Sequence, residues 1–193
     1  MRIRSLCAAL TALVTTATVL VAASPAQAVS IDFCTKNVII VGGGGAVSTE
    51  RDYSGSNQNM LRARSGDPNG PWEQYWICWP DNDDNEVYIY SRSASQFVAA
   101  EYDYTGSRAG MLRARTTEPG PWETFQIIAV DDYARVVILG SHGLVSEERD
   151  YTGSNKGMLR VRGNGTGIGP WEKFRILDTK TLQPVHYFFP LMS

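Results

Sequence analysis

Histidine is almost missing from this chain. Only His142 and His186 carry an imidazole among 193 residues. Neither stands in a zinc-binding or nucleophile-elbow motif. That scarcity argues against hydrolytic catalysis, so we expect no enzyme, no cofactor and no metal site. Long apolar runs are missing too, once the first 28 residues are set aside. Nothing later approaches the ~20 residues that a membrane-spanning helix needs. There is no basic block, and the formal net charge is −2. Nucleic acid and membrane insertion are therefore poor readings. Helical periodicity is absent outside the N-terminus, which turns attention to strands.

The N-terminus is the exception to this polarity. Arg2 and Arg4 precede an apolar run over residues 6–23, and residues 24–28 read Ser-Pro-Ala-Gln-Ala. A basic start, an apolar middle and a small-residue Ala-x-Ala end are the layout of a secretory signal peptide. A membrane anchor is the alternative, but the run holds several threonines and ends in a cleavage-like site. Residues 1–28 are therefore expected to leave, and residues 29–193 to form one secreted, extracellular domain. Its 16 basic and 20 acidic residues give a mature charge of −4. That length supports a real core in a soluble monomer. Cys7 departs with the signal, leaving Cys34 and Cys78, an even pair in an oxidising compartment. A Cys34–Cys78 disulfide is expected, with two separate thiols as the alternative.

What the chain does have is itself, three times. The first copy reads Val47-Ser48-Thr49-Glu50-Arg51-Asp52-Tyr53, then Met60-Leu61-Arg62-Ala63-Arg64, then Gly70-Pro71-Trp72-Glu73. The second has Val98 to Tyr104 in the same spacing, then Met111-Leu112-Arg113-Ala114-Arg115 and Gly120-Pro121-Trp122-Glu123. The third has Val145 to Tyr151, Met158-Leu159-Arg160-Val161-Arg162 and Gly169-Pro170-Trp171-Glu172. The tryptophans recur at intervals of 50 and 49. Spacing holds inside the motifs and drifts only in the glycine- and proline-rich loop before each tryptophan, as connections between rigid strands do.

Each copy (about residues 37–85, 86–134 and 135–180, before an apolar C-terminal tail) reads as four short strands. Val38-Ile39-Ile40-Val41, Val87-Tyr88-Ile89-Tyr90 and Val136-Val137-Ile138-Leu139 begin the copies. In the third strand Leu61 and Ala63 face one side, Arg62 and Arg64 the other. The fourth strand is expected to begin at the tryptophan, with Trp72, Tyr75 and Ile77 in the core. Three blades are too few for a propeller, and a solenoid needs polar caps. Three four-stranded units closing on one another give an all-β protein with pseudo-threefold symmetry, the β-trefoil.

The triple Val-x-x-Glu, Leu-Arg-Ala-Arg, Gly-Pro-Trp-Glu-x-Phe pattern resembles the fascin-like branch of the β-trefoils, over roughly residues 37–178. The Gln-x-Trp signature of ricin-type lectin trefoils is absent. Fascins proper are intracellular, carry four trefoils and bundle actin, whereas this chain has one trefoil and an export signal. The resemblance implies the fold. Through similar single modules of secreted bacterial polysaccharide-active proteins, it also implies sugar or surface binding.

The strongest candidate site is the hairpin tip Asp-Tyr-Ser/Thr-Gly-Ser. Sugar recognition needs a carboxylate or amide for paired hydroxyls and an aromatic face for the apolar side of the ring. Asp52, Tyr53 and Asn57 supply these in the first copy, Asp103 and Tyr104 in the second, and Asp150, Tyr151 and Asn155 in the third. Copy two has Arg108 in place of the asparagine. Extracellular carbohydrate is thus the expected partner. The bland alternative is an Asx-type turn with the tyrosine packed on the barrel. A second functional reading is a protein partner (an enzyme to inhibit, a host surface or an actin-like protein) held by a non-repeated loop or the tail. Glu50, Glu101 and Glu148 are expected to pair across the hairpin with Arg62, Arg113 and Arg160. Glu73, Glu123 and Glu172 are expected to accept backbone or arginine hydrogen bonds. Residues 81–86, rich in Asp and Asn, read as a solvated acidic turn rather than a calcium loop, which would need a sharp-turn glycine. Glycines 42–45 precede a strand, so they read as a hairpin turn rather than a phosphate cradle.

Overall fold

The computed structural model describes residues 34–80, 85–131, 135–162 and 167–185. Residues 1–28, expected from sequence to be an export signal, most of the acidic stretch 81–86 and residues 186–193 of the tail lie outside the described residues.

Twelve strands follow one another, four to a copy. The first copy has β1 (Cys34–Gly42), β2 (Gly45–Thr49), β3 (Leu61–Ser65) and β4 (Gln74–Cys78). The second has β5 (Val87–Ser91), β6 (Gln96–Glu101), β7 (Met111–Thr116) and β8 (Thr124–Val130). The third has β9 (Arg135–Gly140), β10 (Gly143–Glu148), β11 (Met158–Arg162) and β12 (Arg175–Asp178). The first and last strands of every copy close a six-stranded barrel. β1 pairs with β4, β4 with β5, β5 with β8, β8 with β9, and β12 returns to β1. Val136 and Phe174 bridge β9 to β12. Closure leaves the barrel without a free edge.

The middle strands form three hairpins that meet on the symmetry axis. Ala63 N donates to Gly157 O (2.8 Å), Ala114 N to Asn59 O (3.0 Å) and Val161 N to Gly110 O (2.8 Å). Each copy thus leans on another in a ring of three. Asn59, Gly110 and Gly157 hold equivalent places at positive φ, 60° to 75°. A Cβ on Gly157 would sit 2.7 Å from Ala63 O, so this approach of two backbones favours glycine. The result is a β-trefoil.

The periodicity of two places matched residues in one interior. Val38, Val87 and Val136 form one set, Leu61, Leu112 and Leu159 another, and Tyr75, Phe125 and Phe174 a third, all buried in one cluster. Each such side chain is worth about 1.5–3 kcal/mol of burial. Met60, Met111 and Met158 make a smaller buried cluster under the hairpin tips.

The tryptophans correct one expectation. Trp72, Trp122 and Trp171 are half-buried beside the barrel rather than inside it. Each lies in the turn after its proline, and the fourth strand begins two or more residues later. Their main role in the fold is through the backbone. Trp72 O, Trp122 O and Trp171 O accept from Thr49 N, Ala100 N and Glu147 N at 2.8–2.9 Å. The aromatic that fills the barrel is the residue three positions on.

Cys34 and Cys78 are disulfide-bonded on the paired strands β1 and β4, 44 residues apart. Closing a loop of that length stabilises the fold by about 4 kcal/mol in the chain-entropy picture. Pro184 and Val185, the start of the apolar tail, add to the sheet. Pro184 bridges Leu177, and Val185 N donates to Ile176 O. Among the described residues no helix is long and apolar enough to cross a membrane.

Candidate functional site at the hairpin end

The three tips share one end of the molecule because their strands meet on the axis. A short 3₁₀ turn forms each tip, at Gly55–Asn57, Gly106–Arg108 and Gly153–Asn155. Tyr53, Tyr104 and Tyr151 pack their rings on the methionine cluster. Their hydroxyls accept from Arg62 (2.6 Å), Arg113 (2.7 Å) and Arg160 (2.9 Å). These tyrosines are therefore anchored, half-buried groups rather than free stacking platforms.

Asp52, Asp103 and Asp150 stand outside this anchorage. All three are exposed, and among the described residues none has a side-chain hydrogen bond or ion pair. The amide oxygens of Asn57 and Asn155 are enclosed and find no donor among the described residues. In the second copy Arg108 replaces that amide, bonds Ser56 Oγ of the first tip and lies over the Tyr104 ring. Arg62 reaches the third tip, donating to Lys156 O at 2.6–2.8 Å and to Gly153 O at 3.4 Å. Arg160 donates to Ser107 O of the second tip at 3.1 Å. The end is thus one stitched surface with three exposed carboxylates.

The expected cross-strand ion pairs form in copies two and three, each joined more closely by the next arginine, whereas in copy one Arg64 replaces Arg62. Glu50 binds Arg64 through both carboxylate oxygens at 2.6 Å. Glu101 binds Arg115 at 2.7 Å, with Arg113 at 4.0 Å. Glu148 lies 3.2 Å from Arg162 and 3.6 Å from Arg160. In copy one the nearer arginine, Arg62, opposite Ser48 in the hairpin, bonds Tyr53 and the backbone of the third tip instead. Burial pushes the Glu148 carboxyl above its ordinary value, and Arg162 and Arg160 oppose the shift. Glu123 and Glu172 accept from Gly120 N (2.8 Å) and Gly169 N (2.9 Å), as expected. Burial raises Glu73 and Glu123 as well.

Sequence reasoning missed the junctions between copies. At the first and third junctions the residue before the repeated glutamate meets the first turn of the following copy, and at the second Tyr102 does so. At the first junction Thr49 Oγ1 bonds Ser91 Oγ (2.8 Å) and the buried Tyr75 hydroxyl (3.1 Å). At the second, the matching residue is Ala100, and Tyr102 meets His142 edge to face at 4.1 Å between ring centres. At the third, between copies three and one, the matching residue is Glu147, buried at 1% exposure. Its Oε2 accepts from Gly44 N at 3.2 Å, and Arg149 Nε lies 3.6 Å from Oε1. Burial pushes its carboxyl up, against the pull of Gly44, Arg149 and Gly43. The only signal in the sequence was a position that reads Thr, Ala and Glu where its neighbours repeat.

A closed six-stranded barrel capped by three hairpins defines the class, a β-trefoil, and solved structures agree. No protein-family model matches the chain, and no curated protein matches it. The designed three-fold symmetric protein ThreeFoil is similar at TM-score 0.55 and 15% identity, over 73% of this chain and 97% of that one. The agglutinin of Rhizoctonia solani is similar at TM-score 0.56 and 12% identity, over 75% and 96%. A mosquitocidal holotoxin is similar at TM-score 0.57 and 13% identity over 74% of this chain, which spans only 17% of the toxin. At these identities the likeness speaks for the fold.

Proposed function

We propose that this protein is a secreted, non-catalytic carbohydrate-binding module of the fascin-like β-trefoil kind, with the hairpin end as its binding face. The observation that carries this reading is the repeated exposed carboxylate. Asp52, Asp103 and Asp150 face solvent without partners among the described residues, each beside an anchored tyrosine. A carboxylate held next to a rigid aromatic suits a vicinal diol on a sugar ring. Three such places on one face add avidity toward a repeating polysaccharide. The presence of an agglutinin among the similar folds is compatible with this reading. Export fits the signal-like N-terminus and the Cys34–Cys78 disulfide.

Insoluble-polysaccharide pull-down and a glycan array on the protein test the proposal. Retention on at least one polysaccharide is expected. Asp52→Asn, Asp103→Asn and Asp150→Asn should each weaken it. Absence of retention on every glycan would refute the reading and favour a protein partner.

A further inference from the structure

The three junctions are built alike and filled differently. Residues 91–95 carry serines, an arginine and an alanine, and Ser91 and Thr49 close the first gap with hydroxyls. Tyr102 and His142 occupy the second. At the third the entering turn is glycine at every position from 42 to 45, so no side chain fills the space. A Cβ on Gly44 would lie 2.5 Å from both Ala63 O and Glu147 Oε1. The bare turn is what lets the chain pass so close to the buried carboxylate. Beside it opens a cavity of about 670 Å³, lined in part by Gly43, Gly44, Glu147, Arg149, Lys156 and Trp171. Asp150 of the third tip lies on its rim.

The charges of this cleft are unbalanced. Four cations line it, Arg62, Arg64, Arg149 and Lys156, against two anions, Glu147 and Asp150. Arg64 is neutralised by Glu50, and Arg149 stands beside Glu147. Arg62 is buried at 6% exposure. Unlike Arg113 and Arg160, it has no ion pair among the described residues, because Arg64 takes both oxygens of Glu50. Its partners are a hydroxyl and two carbonyls. Lys156, exposed at the rim, has no ion pair among the described residues either. A buried guanidinium without a counter-charge is costly, and an anion nearby relieves that cost. The other large cavity, about 600 Å³ near Phe125, has Glu86 as its only charged lining residue among those described.

We infer that the cleft between copies three and one is a single, non-repeated site for an acidic sugar residue, a uronate unit of a polysaccharide. The sugar carboxylate meets the excess positive charge of Lys156 and Arg62. Ring hydroxyls donate to Glu147 and Asp150, and Trp171 offers an apolar wall. This rests on the carbohydrate-binding reading and adds to the three tips one non-repeated place with its own ligand class. A carboxylate together with hydroxyls uses both signs of charge in the cleft, which a neutral sugar does not.

Titration calorimetry with pentagalacturonate, against cellopentaose as the neutral control, decides the matter. One pentagalacturonate per chain is expected, with binding that weakens as salt rises. Lys156→Ala and Glu147→Gln should each weaken it at least about tenfold. Glu86→Gln, in the other large cavity, should leave it within about twofold. Circular dichroism and the denaturation midpoint of each variant show that it is folded, and the exposed Lys156 provides a variant remote from the core. Equal binding of cellopentaose, or unchanged pentagalacturonate binding in Lys156→Ala and Glu147→Gln, would overturn this inference while leaving the carbohydrate reading intact. Binding of neither oligosaccharide, with no retention in the polysaccharide pull-down, would overturn both.

Discussion

The barrel interior and the three junctions obey different rules. Inside, the copies supply the same residue or a close relative at every level: Val38, Val87 and Val136, then Leu61, Leu112 and Leu159, then Tyr75, Phe125 and Phe174. A close-packed interior tolerates little change in volume, so three copies sharing one core stay alike. At the junctions the matched residues are Thr49, Ala100 and Glu147. Nothing forces these to agree, because Thr49 and Glu147 meet different turns and at the second junction Tyr102 makes the contact instead of Ala100. Uniform places hold the fold together, and the place that departs furthest, with a buried carboxylate against a bare glycine turn, is where specific chemistry has room.

The comparison breaks most visibly if the interior is not equivalent across copies. Phe125→Ala and Phe174→Ala should each cost about 3–5 kcal/mol, read from urea denaturation midpoints. A cost in one copy only would mean that the copies do not share one core. Breaking the disulfide by Cys34→Ala with Cys78→Ala should remove roughly 4 kcal/mol, measured by thermal unfolding. A smaller effect belongs to the first junction. Thr49→Ala leaves the buried Tyr75 hydroxyl and Ser91 short of a partner and should cost about 1–3 kcal/mol. Adding Tyr75→Phe should recover part of that loss, since the second copy already pairs Ala100 with Phe125.

The smallest expected effect concerns pH. Burial raises the Glu147 carboxyl above its unfolded value of about 4.5. The folded state therefore holds the proton more tightly, and stability is greater below that value than above the raised one. As pH rises through the folded pKa this contribution is lost. Glu73, Glu123 and Glu148 act in the same direction. Denaturation midpoints should climb as the pH falls from neutral toward about 4.5, and Glu147→Gln should flatten part of that slope while being neutral or slightly stabilising at pH 7.

The fold was legible because spacing reports strand length and alternation reports the buried face. Val47 to Tyr53 and its two echoes were enough to place three hairpins. The tryptophans misled because apolarity does not say whether an aromatic precedes its strand or sits within it; Trp72 and Tyr75 look equally suited to a core. The glutamate partners misled for another reason. Arg62 and Arg64 lie on the same side of β3, and the register is the same in all three copies, so only the contacts of Arg62 with Tyr53 and the third tip choose between them. Glu147 was invisible as a site because its partner Gly44 lies 103 residues away. No local pattern joins two residues whose meeting depends on closing the barrel.

A crystal structure of the protein grown with pentagalacturonate tests the asymmetry of the junctions most directly. The account predicts one uronate seated between copies three and one, its carboxylate toward Lys156 and its hydroxyls toward Glu147, with the other two junctions empty. Density at all three junctions alike, or only on the outer wall of the barrel away from Glu147, would contradict it.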